Sequence, residues 1–180
     1  MTPHSSSASR RYPWYVRLIF ALQRRRYGAE LESARLWGRI PKGFLALTLL
    51  YRALDRSSSP IDPALRSLLT VRVSQINWCD FCVDLNSALA LQRHVTEAKL
   101  EALSDFEHSP LFSEREKAAL AYAETVTRSN AKVGEALTAR LGTHFDEQAL
   151  VELTALVAFQ NLSSKFNAAL GVAPQGFCRR

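Results

Sequence analysis

The sequence predicts an all-α bundle with an N-terminal helical extension. Three observations carry that prediction: apolar residues recur at helical spacing along almost the whole chain, helix-start signals precede the apolar runs, and no alternating strand pattern bounded by hairpin turns occurs. With 180 residues and 47% hydrophobic content, the chain is long enough to bury one core.

Met1 to Ser9 is rich in serine and lacks apolar periodicity, so it cannot bury enough surface to offset its ordering entropy; residues 1–13 are expected as a flexible tail. Trp14 to Tyr27 reads as the first helix, with Trp14, Val16, Leu18, Ile19 and Leu22 set among arginines, and a second piece runs past Gly28 through Trp37. Ile40-Pro41 marks a break. Phe44 to Leu54 reads as a helix stopped at Ser57-Ser58-Ser59-Pro60, the expected seam between extension and core. Asp62 then supplies an N-cap and Pro63 the first position of a helix toward Ile76. That helix leads directly into Trp78-Cys79-Asp80-Phe81-Cys82, and helix continues from Cys79 to about Gln92. Thr96 caps a short helix through Leu103, and Ser113-Glu114-Arg115-Glu116 has the spacing of a capping box opening a helix to about Arg128. Gly134 to Leu141 is a weaker helix candidate. Asp146 caps a long apolar helix from Ala149 to about Leu170, expected at the centre of the bundle and stopped by Gly171 and Pro174.

The formal charge of +6 is unevenly spread: residues 1–72 hold 13 Lys/Arg against 4 Asp/Glu, and residues 73–180 hold 10 against 13. A basic first third fits a solvated or subunit-facing surface; no nucleic acid is expected as a partner, because stacking platforms and a recognised DNA-binding motif are missing. Trp14 to Arg26 mixes aromatic and aliphatic residues with clustered arginine, which suits an anionic membrane surface or packing between subunits, and packing is favoured. Three cysteines cannot close a disulfide framework, and Arg17 interrupts the apolar stretch that follows Ser9-Arg10-Arg11, so a cytoplasmic location is expected. The longest apolar run, near Phe44 to Leu50, is far too short to span a bilayer.

Cys79 and Cys82 form a Cys-x-x-Cys. At a helix start, unpaired N–H groups and the positive end of the dipole stabilise a thiolate, and a spacing of three keeps the second sulfur close enough to form a disulfide. The sequence leaves open whether Cys79 stands at such an end. A structural zinc site would need four ligands, but His94, His108, His144 and Cys178 are scattered. Covalent haem attachment would need histidine where Val83 stands. Two inert buried cysteines are the bland alternative. Asp80 and Asp84 flank the pair with charge that disfavours a thiolate. Trp78 reads either as a cover over Cys79 or as ordinary core packing, and Cys178 either as a third redox partner or as a surface thiol.

Val71-Arg72-Val73-Ser74-Gln75-Ile76-Asn77, followed by Cys79-Asp80-Phe81-Cys82-Val83-Asp84, resembles the core of alkyl hydroperoxidase D-like proteins in the carboxymuconolactone decarboxylase superfamily. Ser109 to Glu116, Ala118 to Ala121 and Leu150 to Thr154 extend the resemblance, which covers about residues 63–175. It implies an all-α fold, oligomers of intertwined helices and thiol peroxidase chemistry, with no cofactor and no metal. It also implies that Cys82 attacks the hydroperoxide and Cys79 resolves the product to a disulfide. In the family's peroxidases a proton relay serves the pair: a glutamate twelve positions before the first cysteine and a histidine four positions after the second. Those places hold Ser67 and Asn86, kept here as supporting residues. Neither side chain exchanges a proton near neutral pH, and general acid–base help is typically worth about 10²–10⁴-fold.

The expected organisation is a tail (1–13), a helical extension (14–60), an alkyl hydroperoxidase D-like core (61–175) and a C-terminal tail (176–180). The expected function is a weakened thiol-dependent peroxidase with Cys79 and Cys82 as catalytic residues, acting on a hydroperoxide, recycled by an external dithiol and assembled as a homo-oligomer. The alternative is an oligomeric redox-sensing or non-enzymatic scaffold that keeps the fold and the pair.

Overall fold

The structure, a computed structural model, describes residues 12–179, and among the described residues lie nine α-helices and no strand. They are α1 (Trp14–Tyr27), α2 (Glu32–Trp37), α3 (Pro41–Leu54), α4 (Pro63–Ile76), α5 (Asp80–Gln92), α6 (Glu97–Glu101), α7 (Glu114–Thr127), α8 (Glu135–Gly142) and α9 (Glu147–Ala169), with 3₁₀ turns at Ala102–Asp105 and Phe177–Arg179. The expected tail at residues 1–13 lies outside the described residues as far as Arg11; Tyr12 sets its ring edge-on to Phe20 with centroids 5.1 Å apart.

Local chemistry fixes the starts of the core helices. The Asp62 carboxylate accepts the N–H groups of Ala64 and Leu65 ahead of Pro63, Ser113 and Glu116 close a reciprocal capping box, and Asp146 accepts the N–H of Ala149. α3 begins at Pro41, a turn earlier than Phe44, because proline fits the first helical position and the break falls on Ile40.

α4 packs against α5, α7 and α9, and these helices enclose the larger core, in which Leu65, Leu68, Leu69, Leu120, Leu153 and Val157 are buried. Burying each such side chain contributes about 1.5–3 kcal/mol before entropy is counted. A second buried cluster forms where the N-terminal helices meet α5. It joins Val16, Ile19 and Phe20 of α1, Leu31, Ala34 and Phe44 to Cys79, Phe81 and Cys82, and adds Val172 and Phe177 from the C-terminal segment. Trp37 stacks on Phe166 of α9 at 4.0 Å, which fixes the N-terminal helices against the core. No described helix is long and apolar enough to cross a membrane.

Candidate functional site

The continuous helix expected from Ile76 into the cysteines is interrupted. α4 ends in a Schellman motif: Trp78 N–H donates to the Gln75 carbonyl and Cys79 N–H to the Ser74 carbonyl, both at 3.1 Å. The motif places Trp78 in the left-handed region, φ 53°, where glycine is usual. This backbone swings the indole outward, and Trp78 is 87% exposed, so it is neither core packing nor a lid on Cys79.

Ending α4 there makes Cys79 the N-cap of α5. Its sulfur accepts the N–H of Cys82 at 3.3 Å, taking the place of a serine or aspartate oxygen. The two sulfurs also share a hydrogen bond. The Cys82 side chain, donating to Cys79, draws the Cys79 thiol pKa down; the Cys82 N–H adds to this, while burial and Asp80 oppose it. Cys82 is pushed up, first by giving its hydrogen to Cys79 and then by burial, with Asn167 pulling the other way. Both thiols are unlinked and closed off, 2% and 3% exposed.

Asn167 on α9 is the contact that sequence reasoning missed. Its Nδ2 donates to Cys82 Sγ at 3.3 Å, while its Oδ1 is buried without a partner among the described residues. The two residues stand 85 positions apart, so helical periodicity marks only Asn167's face and gives no hint of its partner.

Ser67 and Asn86 are drawn into separate networks. Asn86 Nδ2 donates to Ser74 Oγ at 3.2 Å, and that oxygen also accepts from Gln160 Nε2 at 2.8 Å. Ser67 Oγ accepts from Arg93 at 3.2 Å, and Arg93 grips Asp55 through both carboxylate oxygens. Arg66 joins that cluster at 3.2 Å from Asp55, without the alignment of a hydrogen bond. Asn161 accepts from Asn77 at 2.9 Å and donates to Thr127, while Ser164 takes the second Asn77 hydrogen. His94 is exposed at the C-terminal end of α5 in a left-handed conformation, φ 64°.

Residues 176–178, expected as a tail, fold back on α5. Asp84 Oδ2 accepts the Gln175 N–H and Oδ1 the Cys178 N–H, each at 2.9 Å. Burial alone would raise the Asp84 carboxyl, but backbone N–H groups from Gln175 to Cys178 hold it below its ordinary value. Gln175 also accepts the Glu32 N–H at 2.9 Å, and Phe177 enters the cysteine cluster, so the segment straps α2 to α5 over the pair. Beside it an open cleft of about 370 Å³ is lined by Asp80, Val83, Asp84, Pro174 and Gly176. Among the described residues no group of His, Cys, Asp and Glu is arranged to hold a metal ion.

The carboxymuconolactone decarboxylase family matches residues 41–125. The uncharacterized protein YnjA of Escherichia coli (strain K12) is 46% identical over 158 residues, 88% of this chain and 87% of that protein. Among solved structures, the alkylhydroperoxidase AhpD core of an uncharacterized peroxidase-related protein from Ralstonia eutropha JMP134 superposes with a TM-score of 0.85 at 21% identity, over 98% of this chain and 93% of that one. The debrominase Bmp8 superposes with a TM-score of 0.81 at 23% identity, over 92% and 89%. The motif around Cys79 and Cys82, the match over α3 to α7 and the shared helical fold lead to one conclusion: the chain belongs to the carboxymuconolactone decarboxylase family and has the helical fold of the AhpD core.

Proposed function

We propose that the protein is a thiol oxidoreductase that reduces hydroperoxides by cycling Cys79 and Cys82 between dithiol and disulfide. The observation that carries this reading is the pair itself: Cys79 caps α5, its sulfur accepts the N–H of Cys82, and both sulfurs are buried three residues apart.

The resemblance implies attack by Cys82; the backbone N–H donated to Cys79 Sγ at the start of α5 supports Cys79 as the thiol that deprotonates more readily. In the order favoured here, the Cys79 thiolate attacks the terminal oxygen of a hydroperoxide. An S–O bond forms, the O–O bond breaks, and the departing alkoxide takes the Cys82 proton to leave as alcohol. Cys82, now a thiolate, displaces hydroxide from the Cys79 sulfenic acid and closes the disulfide; the hydroxide leaves as water on taking a proton from solvent. An external dithiol then reduces the disulfide. Without a histidine–glutamate relay, Cys82 protonates the leaving oxygen, hydrogen bonds to the two sulfurs stand in for the rest of the relay, and turnover is slow.

The same reading includes a homo-oligomer, supported by Trp14, Leu18 and Leu22, exposed at successive turns of one face of α1. The scaffold or sensor alternative is favoured by the closure of both thiols and by the engagement of Ser67 and Asn86 elsewhere.

Stopped-flow mixing of pre-reduced protein with an organic hydroperoxide, with thiols counted before and after, tests the reading. Two thiols should be lost per peroxide consumed. Cys79→Ser should consume none, and Cys82→Ser should take one equivalent and stop at a sulfenic acid trappable by dimedone; the reverse pattern would restore the order implied by the family. Intact thiols after minutes of excess peroxide would leave the scaffold reading. Because the fold is shared with a debrominase whose structure is also known with 2,3,4-tribromopyrrole, that bromopyrrole belongs in the same assay as a second electrophile.

A further inference from the structure

We propose that Asn167 is the catalytic residue that holds the Cys82 thiolate in the second half of the cycle, when Cys82 attacks oxidised Cys79 and again when it leaves as the disulfide is reduced. The proposal rests on Cys79 and Cys82 being a redox pair. In the resting state Cys82 has two partners, the Cys79 sulfur that takes its proton and the Asn167 amide that donates to it. Oxidation of Cys79 removes the first. Asn167, 2% exposed and 3.3 Å from Cys82 Sγ, then supplies a hydrogen to the sulfur that has to carry negative charge out of contact with water.

The other end of the same amide separates this role from a structural one. A carboxamide kept for stability would have both ends satisfied, since a buried polar atom without a partner costs free energy. Asn167 Oδ1 is buried with none among the described residues. The end of the amide that is bonded is the one that faces the sulfur, as a donor to Cys82 requires.

In reduction, a thiolate of an added dithiol attacks Cys79 Sγ. The bond between Cys79 and Cys82 breaks, its electron pair leaves on Cys82, and the second thiol of the reductant releases Cys79 as it closes its own disulfide. A lower proton affinity at Cys82 speeds this departure, and it raises the thiolate fraction available for the forward attack. Losing one hydrogen bond to a charged group, with about half of its effect felt in the rate, predicts a slowing of roughly 3- to 10-fold in each step.

The experiment compares the full chain with Asn167→Leu, which matches the shape without hydrogen-bonding, and with Asn167→Asp, which keeps the shape but offers no donor when ionised. In single turnovers with hydroperoxide, the second phase should slow more than the first, and dimedone trapping should rise as resolution slows. Each protein, oxidised in advance with diamide, is also reduced by dithiothreitol; this step should slow by the same factor without any peroxidase activity being needed. Asn167→Leu should unfold at the same temperature as the parent or higher. If the parent shows no peroxide phase yet the diamide-formed disulfide is reduced more slowly in both variants, the peroxidase reading fails and the role of Asn167 stands. Unchanged reduction rates in both variants, or slowing that only tracks a lowered unfolding temperature, would overturn the role of Asn167.

Discussion

Trp78 tests whether the turn before the cysteines is held by its backbone or by its side chain. In the left-handed region, at φ 53°, a residue with a Cβ costs about 1–2 kcal/mol, which glycine avoids. Glycine returns about 0.5–1 kcal/mol through the greater freedom of its unfolded chain. Trp78 is 87% exposed, so its burial amounts to about 30 Å² and about 0.8 kcal/mol. Trp78→Ala keeps the backbone cost and loses the burial; Trp78→Gly loses both. Trp78→Gly is therefore expected to be more stable than Trp78→Ala by about 0.5–1 kcal/mol, and to lie close to the parent. Gly171 ends α9 in the same motif at φ 64°, and a Cβ there would meet nothing within 4 Å, so Gly171→Ala reads the backbone cost alone and should lose the same amount. Urea unfolding of the four proteins measures these differences, which correspond to about 1–4 °C in a chain of this size. Trp78→Ala equalling or exceeding Trp78→Gly while Gly171→Ala falls would refute the strain argument and assign the turn to the indole.

Iodoacetamide alkylation of the parent, read at each cysteine by peptide mass, should rise at a lower pH at Cys79 than at Cys82: the Cys79 thiol pKa is drawn down, and a thiolate is present above its own pKa. Asp84→Ala should loosen the strap; the loss of two backbone hydrogen bonds, about 1–2 kcal/mol together after allowance for solvent, should speed alkylation of both buried thiols about 5- to 30-fold. In the parent, the Asp84 carboxyl is lowered, so its hold is complete above the ordinary aspartate range and lost as pH falls through the lowered value, when strap opening followed by hydrogen exchange should increase. Ser113→Ala removes the capping box of α7 and should cost about 1 kcal/mol in urea unfolding, with no change in thiol chemistry.

The parts of the fold that were legible in the sequence are those set by neighbours along the chain. Asp62-Pro63, Ser113 with Glu116, and Asp146 each start a helix where their side chains reach the next N–H groups, and these three caps stand as read, with α9 starting at Glu147 rather than Ala149. The break at Asn77-Trp78 was illegible for the complementary reason: glycine announces a left-handed turn and tryptophan does not. The cysteine pair was legible as a pair, but not as an N-cap, because that depends on where α4 stops. Contacts made by packing were out of reach altogether. Nothing near Asn167 points to Cys82, and α1, which reads as suited to a membrane surface or to packing between subunits, gives no sign that it packs over Cys79 and Cys82.

The substitutions at Ser67 and Asn86 take on a different meaning in this setting. An acid–base relay works when its members touch one another and the sulfur they serve. Ser67 is bonded into the Arg93 and Asp55 cluster at the far end of α5, and Asn86 into the Ser74 and Gln160 seam between α4 and α9. Restoring Asn86→His alone would put an imidazole beside the Ser74 hydroxyl with no carboxylate to orient it, and Ser67→Glu alone would put a carboxylate where Arg93 already holds Asp55. Each change therefore competes with an existing network before it can serve a thiol. The sulfurs instead draw on groups that need no proton exchange: the N–H of Cys82 for Cys79, and the amide of Asn167 for Cys82. Such donors favour charge on sulfur without passing protons, which suits one slow oxidation and one dithiol reduction better than rapid peroxide turnover.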